Sequence, residues 1–179
     1  VKREAILEEV AIRTPGLTPF VAKCYGEKSA DIIYQMETGE RRRITSNTGI
    51  HQGEGLGPAL FCMPVGSILR MCREQFEALG VELLAYVDDL AMRELTEEKL
   101  RAIHFLVQEL ARIGVQIKNA KTKAVSPMNH TSTEREIAAL AAMGISVAER
   151  GGAVVTGAPI GSDAFVQQYA VTVVKEKGE

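Results

Sequence analysis

The stretch that decides the reading is Val81-Glu82-Leu83-Leu84-Ala85-Tyr86-Val87-Asp88-Asp89-Leu90-Ala91-Met92. Val81 to Tyr86 is an apolar run of strand length. Asp88-Asp89 interrupts it and Leu90 to Met92 resumes it, so the simplest reading is strand, acidic turn, strand. Apolar flanks bury the strands and push the two acids out at the turn. Carboxylates that close repel each other unless a proton or a cation neutralises them. An oxygen-only acidic pair suits Mg²⁺, which keeps some of its waters and also binds substrate phosphates. Taken alone, such a pair is more often a solvated hairpin turn than a metal site.

Working upstream, Asn47 to Pro58 holds four glycines and must be a loop with unusual backbone angles. Its core, Gly49-Ile50-His51-Gln52-Gly53-Glu54-Gly55-Leu56-Gly57-Pro58, runs straight into an apolar helical pattern over 60–79. Such a loop can present backbone N–H groups to a phosphate, but it lacks the Lys-Ser/Thr of an ATPase P-loop. Pro64 costs that helix one backbone bond. Farther upstream, the spacing predicts a helix over 1–12, a second from a Thr18 cap to Tyr25 with Gly26 as its stop, and a hairpin of 30–36 with 41–46 about Thr38-Gly39-Glu40.

Downstream, a helix over 97–113 is predicted behind a Thr96 cap, ended by Gly114. Strands are expected at 115–117 and 122–125, a helix capped by Thr131 or Ser132 through Met143, and strand at Val147 and 153–156. Ser162-Asp163 caps a last amphipathic helix. Helices and hairpins alternate without a βαβ rhythm, so the fold class is α+β.

Composition sets the outer limits. With 179 residues, nearly half of them apolar, the chain can build a real core. It has no membrane-length apolar run and no basic-then-apolar leader. Cys24, Cys62 and Cys72 show no metal or disulfide spacing and read as buried reduced thiols of an intracellular protein, in cytoplasm or nucleus. His51, His104 and His130 are too scattered for zinc. The net charge of −2 lacks the basic surplus that nucleic-acid binders often carry, which fits a piece whose basic parts lie elsewhere.

The order Gln52-Gly53-x-x-Leu56-Gly57-Pro58, apolar helix, Tyr86-Val87-Asp88-Asp89 resembles the reverse transcriptases, in particular those of retrotransposons without long terminal repeats. Relatives carry proline where this chain has Gly55. The resemblance extends to Val1-Lys2-Arg3-Glu4-Ala5-Ile6-Leu7, similar to the helix after the family's first catalytic aspartate. It also takes in Asn119-Ala120-Lys121-Thr122, similar to its lysine segment, and Gly157-Ala158-Pro159-Ile160-Gly161, similar to its primer-holding edge.

The resemblance implies a palm-like antiparallel sheet packed against helices with part of the fingers. Fingers and palm would occupy 1–80, the catalytic hairpin and palm 81–128, and the palm edge with the last helix 129–179. It implies that Asp88 and Asp89 are catalytic and bind Mg²⁺, or Mn²⁺ in its place. Tyr86, Gln52 and Gly53 would meet the incoming nucleotide. Lys121 would serve the leaving pyrophosphate, with Lys123 the second choice, and Gly157, Pro159 and Gly161 would hold the primer. Arg41, Arg42 and Arg43 read equally as a nucleic-acid contact or a solvated strand edge. RNA template, DNA primer and deoxynucleoside triphosphates would be the partners. The family's first catalytic aspartate falls upstream of Val1, so the expectation is a chain that needs a missing upstream polymerase segment and does not polymerise alone. Two other readings stand beside it. One is a non-catalytic retroelement remnant serving as a nucleic-acid or protein interaction module. The other is an unrelated Mg²⁺ phosphohydrolase.

Overall fold

Residues 1–26, 30–46, 48–51, 53–93, 96, 99–125, 134–148, 151–155 and 157–177 are described by the computed structural model. They form two compact units, one of residues 1–77 with 104–116, the other of 78–103 with 117–179. The class is mixed α and β, as the alternating helix and hairpin signals require. Among the described residues the sheets are small: four two-stranded ladders, three antiparallel and one parallel.

In the first unit, Ile6 and Val10 recur at helical spacing in α1 (Arg3–Arg13) and both are fully buried. They meet Val21 and Tyr25 of α2 (Thr18–Tyr25) and Leu60 of α3 (Gly57–Gln75), forming one apolar cluster. Burial of five such side chains contributes roughly 1.5–3 kcal/mol each before chain entropy is counted. Two sequence expectations change here. Thr18 does not cap α2: it is the first helical residue, and its buried Oγ1 has no hydrogen-bond partner. A 3₁₀ turn, Pro15–Leu17, leads directly into the helix and leaves no extended residue to act as a cap. Helix α3 begins three residues earlier than expected, at Gly57, because Pro58 in the first turn lacks only an N–H that would be unbonded anyway. It continues unbroken through Pro64 to Gln75.

Strands β1 (Ala30–Gln35) and β2 (Arg41–Ser46) pair antiparallel around Gly39, whose φ of 82° the turn requires. Gly114 ends α4 (Leu100–Arg112) with φ 75°; its N–H bonds Ala111 O and the Val115 N–H bonds Leu110 O.

In the second unit, β3 (Glu82–Tyr86) and β4 (Asp89–Arg93) form the acidic hairpin. Thr96 caps the start of α4 as expected, its Oγ1 accepting from the Lys99 N–H at 3.3 Å. Val115–Ile117 is not a strand, contrary to expectation. A 3₁₀ turn, Asn119–Lys121, leads instead to a two-residue strand β5 (Lys123–Ala124), parallel to β6 (Ser146–Val147). Three residues, Val115-Gln116-Ile117, carry too little pattern to separate a strand from an extended connection. Helix α5 (Glu134–Ala142) packs Leu140 against Leu100 and Ile145; its expected caps, Thr131 and Ser132, lie outside the described residues. Then come β7 (Gly152–Val155), β8 (Ala158–Gly161) and α6 (Asp163–Lys177), capped by Ser162 Oγ accepting from the Phe165 N–H. Strand β8 escaped the sequence reading because glycine and proline disguise it.

The cysteines are free, and only Cys72 is buried; Cys24 is half-buried and Cys62 exposed. Burial pushes the Cys72 thiol up, which keeps it protonated and inert. Among the described residues no helix is long and apolar enough to cross a membrane.

Candidate active site

Alternation decides which side chains of the acidic hairpin are presented. Val81 and Leu83 point inward and are buried, so Leu84 and Tyr86 point outward and are 70% and 72% exposed. Tyr86 pairs with Asp89 across the ladder, which makes Asp89 the first residue of β4 rather than part of the turn. The two-residue connection is therefore Val87-Asp88, one position earlier than the sequence suggested. Tyr86 and Asp89 share the exposed face, with Asp88 beside them at the tip. Leu84, Ala91 and an ion pair of Arg93 with Glu82 at 3.5 Å continue that face toward the base.

Val87 has φ 53°, the left-handed value a tight hairpin asks of its first turn residue. Glycine takes it without cost. A β-branched residue does not, and such strain runs to roughly 1–3 kcal/mol. The turn is thus held in a shape that its own residue disfavours, and strain of this kind concentrates at functional sites. Val87→Gly is expected to raise the urea midpoint by the equivalent of about 1 kcal/mol, after the greater freedom of unfolded glycine is subtracted. A midpoint that falls would mean that the Val87 side chain stabilises the hairpin more than its backbone strains it.

Both carboxylates of the pair are exposed, and neither has a hydrogen-bond or ion-pair partner among the described residues. Among the described residues nothing therefore neutralises their mutual repulsion. The described residues offer no cluster of three or more His, Cys, Asp or Glu side chains that could cage a metal. Two carboxylates are nonetheless a usual protein share for Mg²⁺, whose remaining ligands are waters and substrate phosphates. Asp88 and Asp89 fit that role as an open, substrate-completed site.

The two lysines separate. Lys123 Nζ donates to Ser146 Oγ at 2.9 Å, while Lys121, on the 3₁₀ turn, is exposed with no side-chain partner among the described residues. Lys121 is the one left available to an anion. Gly157 sits at the β7–β8 turn with φ 83°, and Pro159 faces Val154. Gly161 faces Gly152, and a Cβ there would overlap the Gly151 carbonyl and the Gly152 Cα. Gly161 is thus required by packing, whatever else it does.

In the first unit, Gly53 carries φ 86° and Gly49 φ 74°, as the loop reading requires. Gln52 lies outside the described residues. The sequence reading missed what holds this loop. Arg3, 7% exposed, donates from Nε to Gly49 O at 3.2 Å and from Nη2 to Ser46 Oγ at 2.9 Å, with its guanidinium 5.3 Å from the centre of the Tyr25 ring. The Tyr25 hydroxyl donates to Glu54 Oε2 and accepts from the His51 N–H. No periodicity marks such a network, because an arginine in a charged helix and a tyrosine at a helix end look unexceptional.

The family model described as Reverse transcriptase (RNA-dependent DNA polymerase) matches residues 3–150. The chain belongs to the reverse-transcriptase family. The matched span includes the glycine-rich loop, the acidic hairpin and the Lys121 turn, and stops short of the Gly157 segment. No curated protein and no solved structure matches the chain. Membership in the reverse transcriptases makes this an RNA-directed DNA polymerase by family and nucleic acid its expected class of partner.

Proposed function

We propose that the chain is the nucleotidyl-transfer part of a reverse transcriptase of the kind found in retrotransposons without long terminal repeats. It would extend a DNA primer along an RNA template. The observation that carries the reading is the pair of carboxylates without a partner among the described residues, Asp88 at the tip of a strained hairpin and Asp89 beside it on the outer face that also bears Tyr86.

In the reaction the primer 3′-hydroxyl gives up its proton to solvent and its oxygen bonds the α-phosphorus of a deoxynucleoside triphosphate. The bond from that phosphorus to the bridging oxygen breaks, and pyrophosphate leaves. Divalent cations held by Asp88 and Asp89 would supply stabilisation of the attacking and leaving oxygens. The residues of the chain do the rest. Tyr86, open on the hairpin face, lines the place where base and sugar stack. Lys121 meets the triphosphate, and its ammonium can give a proton to the departing pyrophosphate. Gln52 and Gly53 approach the incoming nucleotide through a loop whose glycines leave the backbone bare. The palm edge from Gly157 to Gly161 holds the primer. A third carboxylate, which the family resemblance assigns to polymerase sequence upstream of residue 1, would complete the metal site. Primer extension with that upstream segment joined to residues 1–179, compared with residues 1–179 alone, tests the reading directly.

Arg41, Arg42 and Arg43 add a backbone contact. They are exposed on β2, on alternate faces of a ribbon that also exposes Ile33, Tyr34 and Ile44. The Arg42–Glu40 pair, 3.4 Å apart and open to solvent, is too weak to withhold Arg42. Replacing all three by glutamine is expected to weaken binding of an RNA–DNA primer-template and flatten its log–log salt dependence by about 2 to 3. An unchanged salt slope would assign these arginines to a solvated edge.

A further inference from the structure

The structure points to Arg3 and Tyr25 as positioning residues for the loop that carries Gln52 and Gly53. We propose that they set nucleotide affinity without touching the nucleotide; this rests on the nucleotide-binding reading of that loop.

The argument starts from the loop itself. Glycine-rich backbone is free to take many shapes, and each ordered residue costs roughly 1–2 kcal/mol of chain entropy. A loop with Gly49, Gly53, Gly55 and Gly57 must be held from outside if it is to meet a ligand in one shape. Arg3 and Tyr25 do this at three points. Arg3 Nε holds the Gly49 carbonyl. The Tyr25 hydroxyl receives the His51 N–H and grips the Glu54 carboxylate. These points lie on both sides of position 52.

The holding residues are themselves fixed. Tyr25 is 1% exposed within the α1–α2–α3 cluster, so its ring cannot swing away. Arg3 is buried, and no carboxylate lies in ion-pair range of it among the described residues. Its charge rests on a carbonyl, a hydroxyl and the Tyr25 ring face. Ser46 Oγ accepts from Arg3 and lies 3.2 Å from His51 Nε2, so its own hydrogen can point at that ring nitrogen and tie His51 to the same assembly. A second tie pulls the loop's far end inward: Gly57 packs so closely on Ile50 and the His51 carbonyl that an added Cβ would crowd both.

A buried arginine is costly unless each hydrogen bond is well placed. Among the described residues, the side-chain hydrogen bonds of Arg3 go to the loop and to the strand end that leads into it. A residue serving only the core would not need them.

The test uses the 179-residue chain and two conservative variants. Tyr25→Phe keeps the buried ring and removes the hydroxyl; Arg3→Lys keeps the charge and removes the fork. Amide hydrogen exchange is read over residues 48–57 and, as a control, over α3 and α4, alongside titration with Mg²⁺–dTTP. Both variants are expected to exchange about tenfold faster at 48–57 with little change in the control helices, and to bind dTTP about tenfold more weakly, the loss of one hydrogen bond to a charged group. Glu54→Gln, which leaves an acceptor for the Tyr25 hydroxyl, should fall between them and the parent. If the parent binds dTTP and both variants bind it equally well, the positioning role is overturned and the nucleotide reading stands. A parent that binds no dTTP either alone or joined to the upstream polymerase segment overturns the nucleotide reading. Exchange at 48–57 that rises only in step with the helices assigns Arg3 and Tyr25 to the core and overturns the inference.

Discussion

Asp88→Asn is expected to abolish primer extension by the chain joined to its upstream polymerase segment, by at least roughly 10³-fold in kcat, since the metal–carboxylate contact carries several kcal/mol of transition-state stabilisation. The substitution is nearly isosteric. Asp88 is exposed in the turn and has no partner among the described residues, so its loss leaves no buried group unsatisfied. The urea midpoint should therefore stay within about 0.5 kcal/mol of the parent, or rise slightly as repulsion with Asp89 is removed. Activity and stability are thus predicted to separate. If, as the resemblance implies, a third metal-binding carboxylate belongs to sequence upstream of residue 1, residues 1–179 alone are expected to show no extension. Extension by that chain alone would refute the need for a third acid. Full activity in Asp88→Asn would return the hairpin to the class of solvated turns.

Gly161→Ala is expected to unfold the β7–β8 hairpin and cost about 3 kcal/mol of stability in the second unit, with overpacking and backbone strain adding. The new methyl would meet backbone at Gly151 and Gly152, which cannot rotate aside as a side chain can. The φ of 151° is one that only glycine takes with ease. Gly152 faces it and lies against the Phe165 ring of α6, so the two glycines together let the hairpin sit close to the helix. Gly157→Ala provides the contrast. Its φ of 83° is also left-handed, but open space surrounds it, so only strain of about 1 kcal/mol is expected. Chemical unfolding of both variants measures the difference. Equal costs would show that backbone conformation, and not close packing, selects glycine at 161. This result bears on the primer-holding role as well: reduced primer binding in Gly161→Ala counts as a contact only if the hairpin is still folded.

Much of the local structure was legible because its causes are local. Ile6 and Val10 at helical spacing, Gly39 between two strand runs, Thr96 before an apolar stripe and Gly114 behind it all act through nearest neighbours. Where the reading slipped, a neighbour in space or an ambiguous short run was responsible. Thr18 could not cap because the preceding turn was already helical. Pro58 belonged to the helix rather than the loop. Val115–Ile117 had no ladder to join, and Gly157–Gly161 hid a strand behind residues that usually break one.

The acidic hairpin shows the same division. Residue order alone determined that a strand, two acids and a second strand lie behind a glycine-rich loop and an apolar helix, and with that the family. Those features depend on side-chain type and spacing along the chain. Only tertiary structure decided that the turn is Val87-Asp88, that Val87 is strained, that Asp89 shares an open face with Tyr86, and that Lys121 is available while Lys123 is engaged. It alone also revealed Arg3 and Tyr25 beneath the loop. The physical reason is range. Propensity and periodicity act over a few residues, whereas register, strain and buried hydrogen bonds arise when segments 20 to 50 positions apart are packed together.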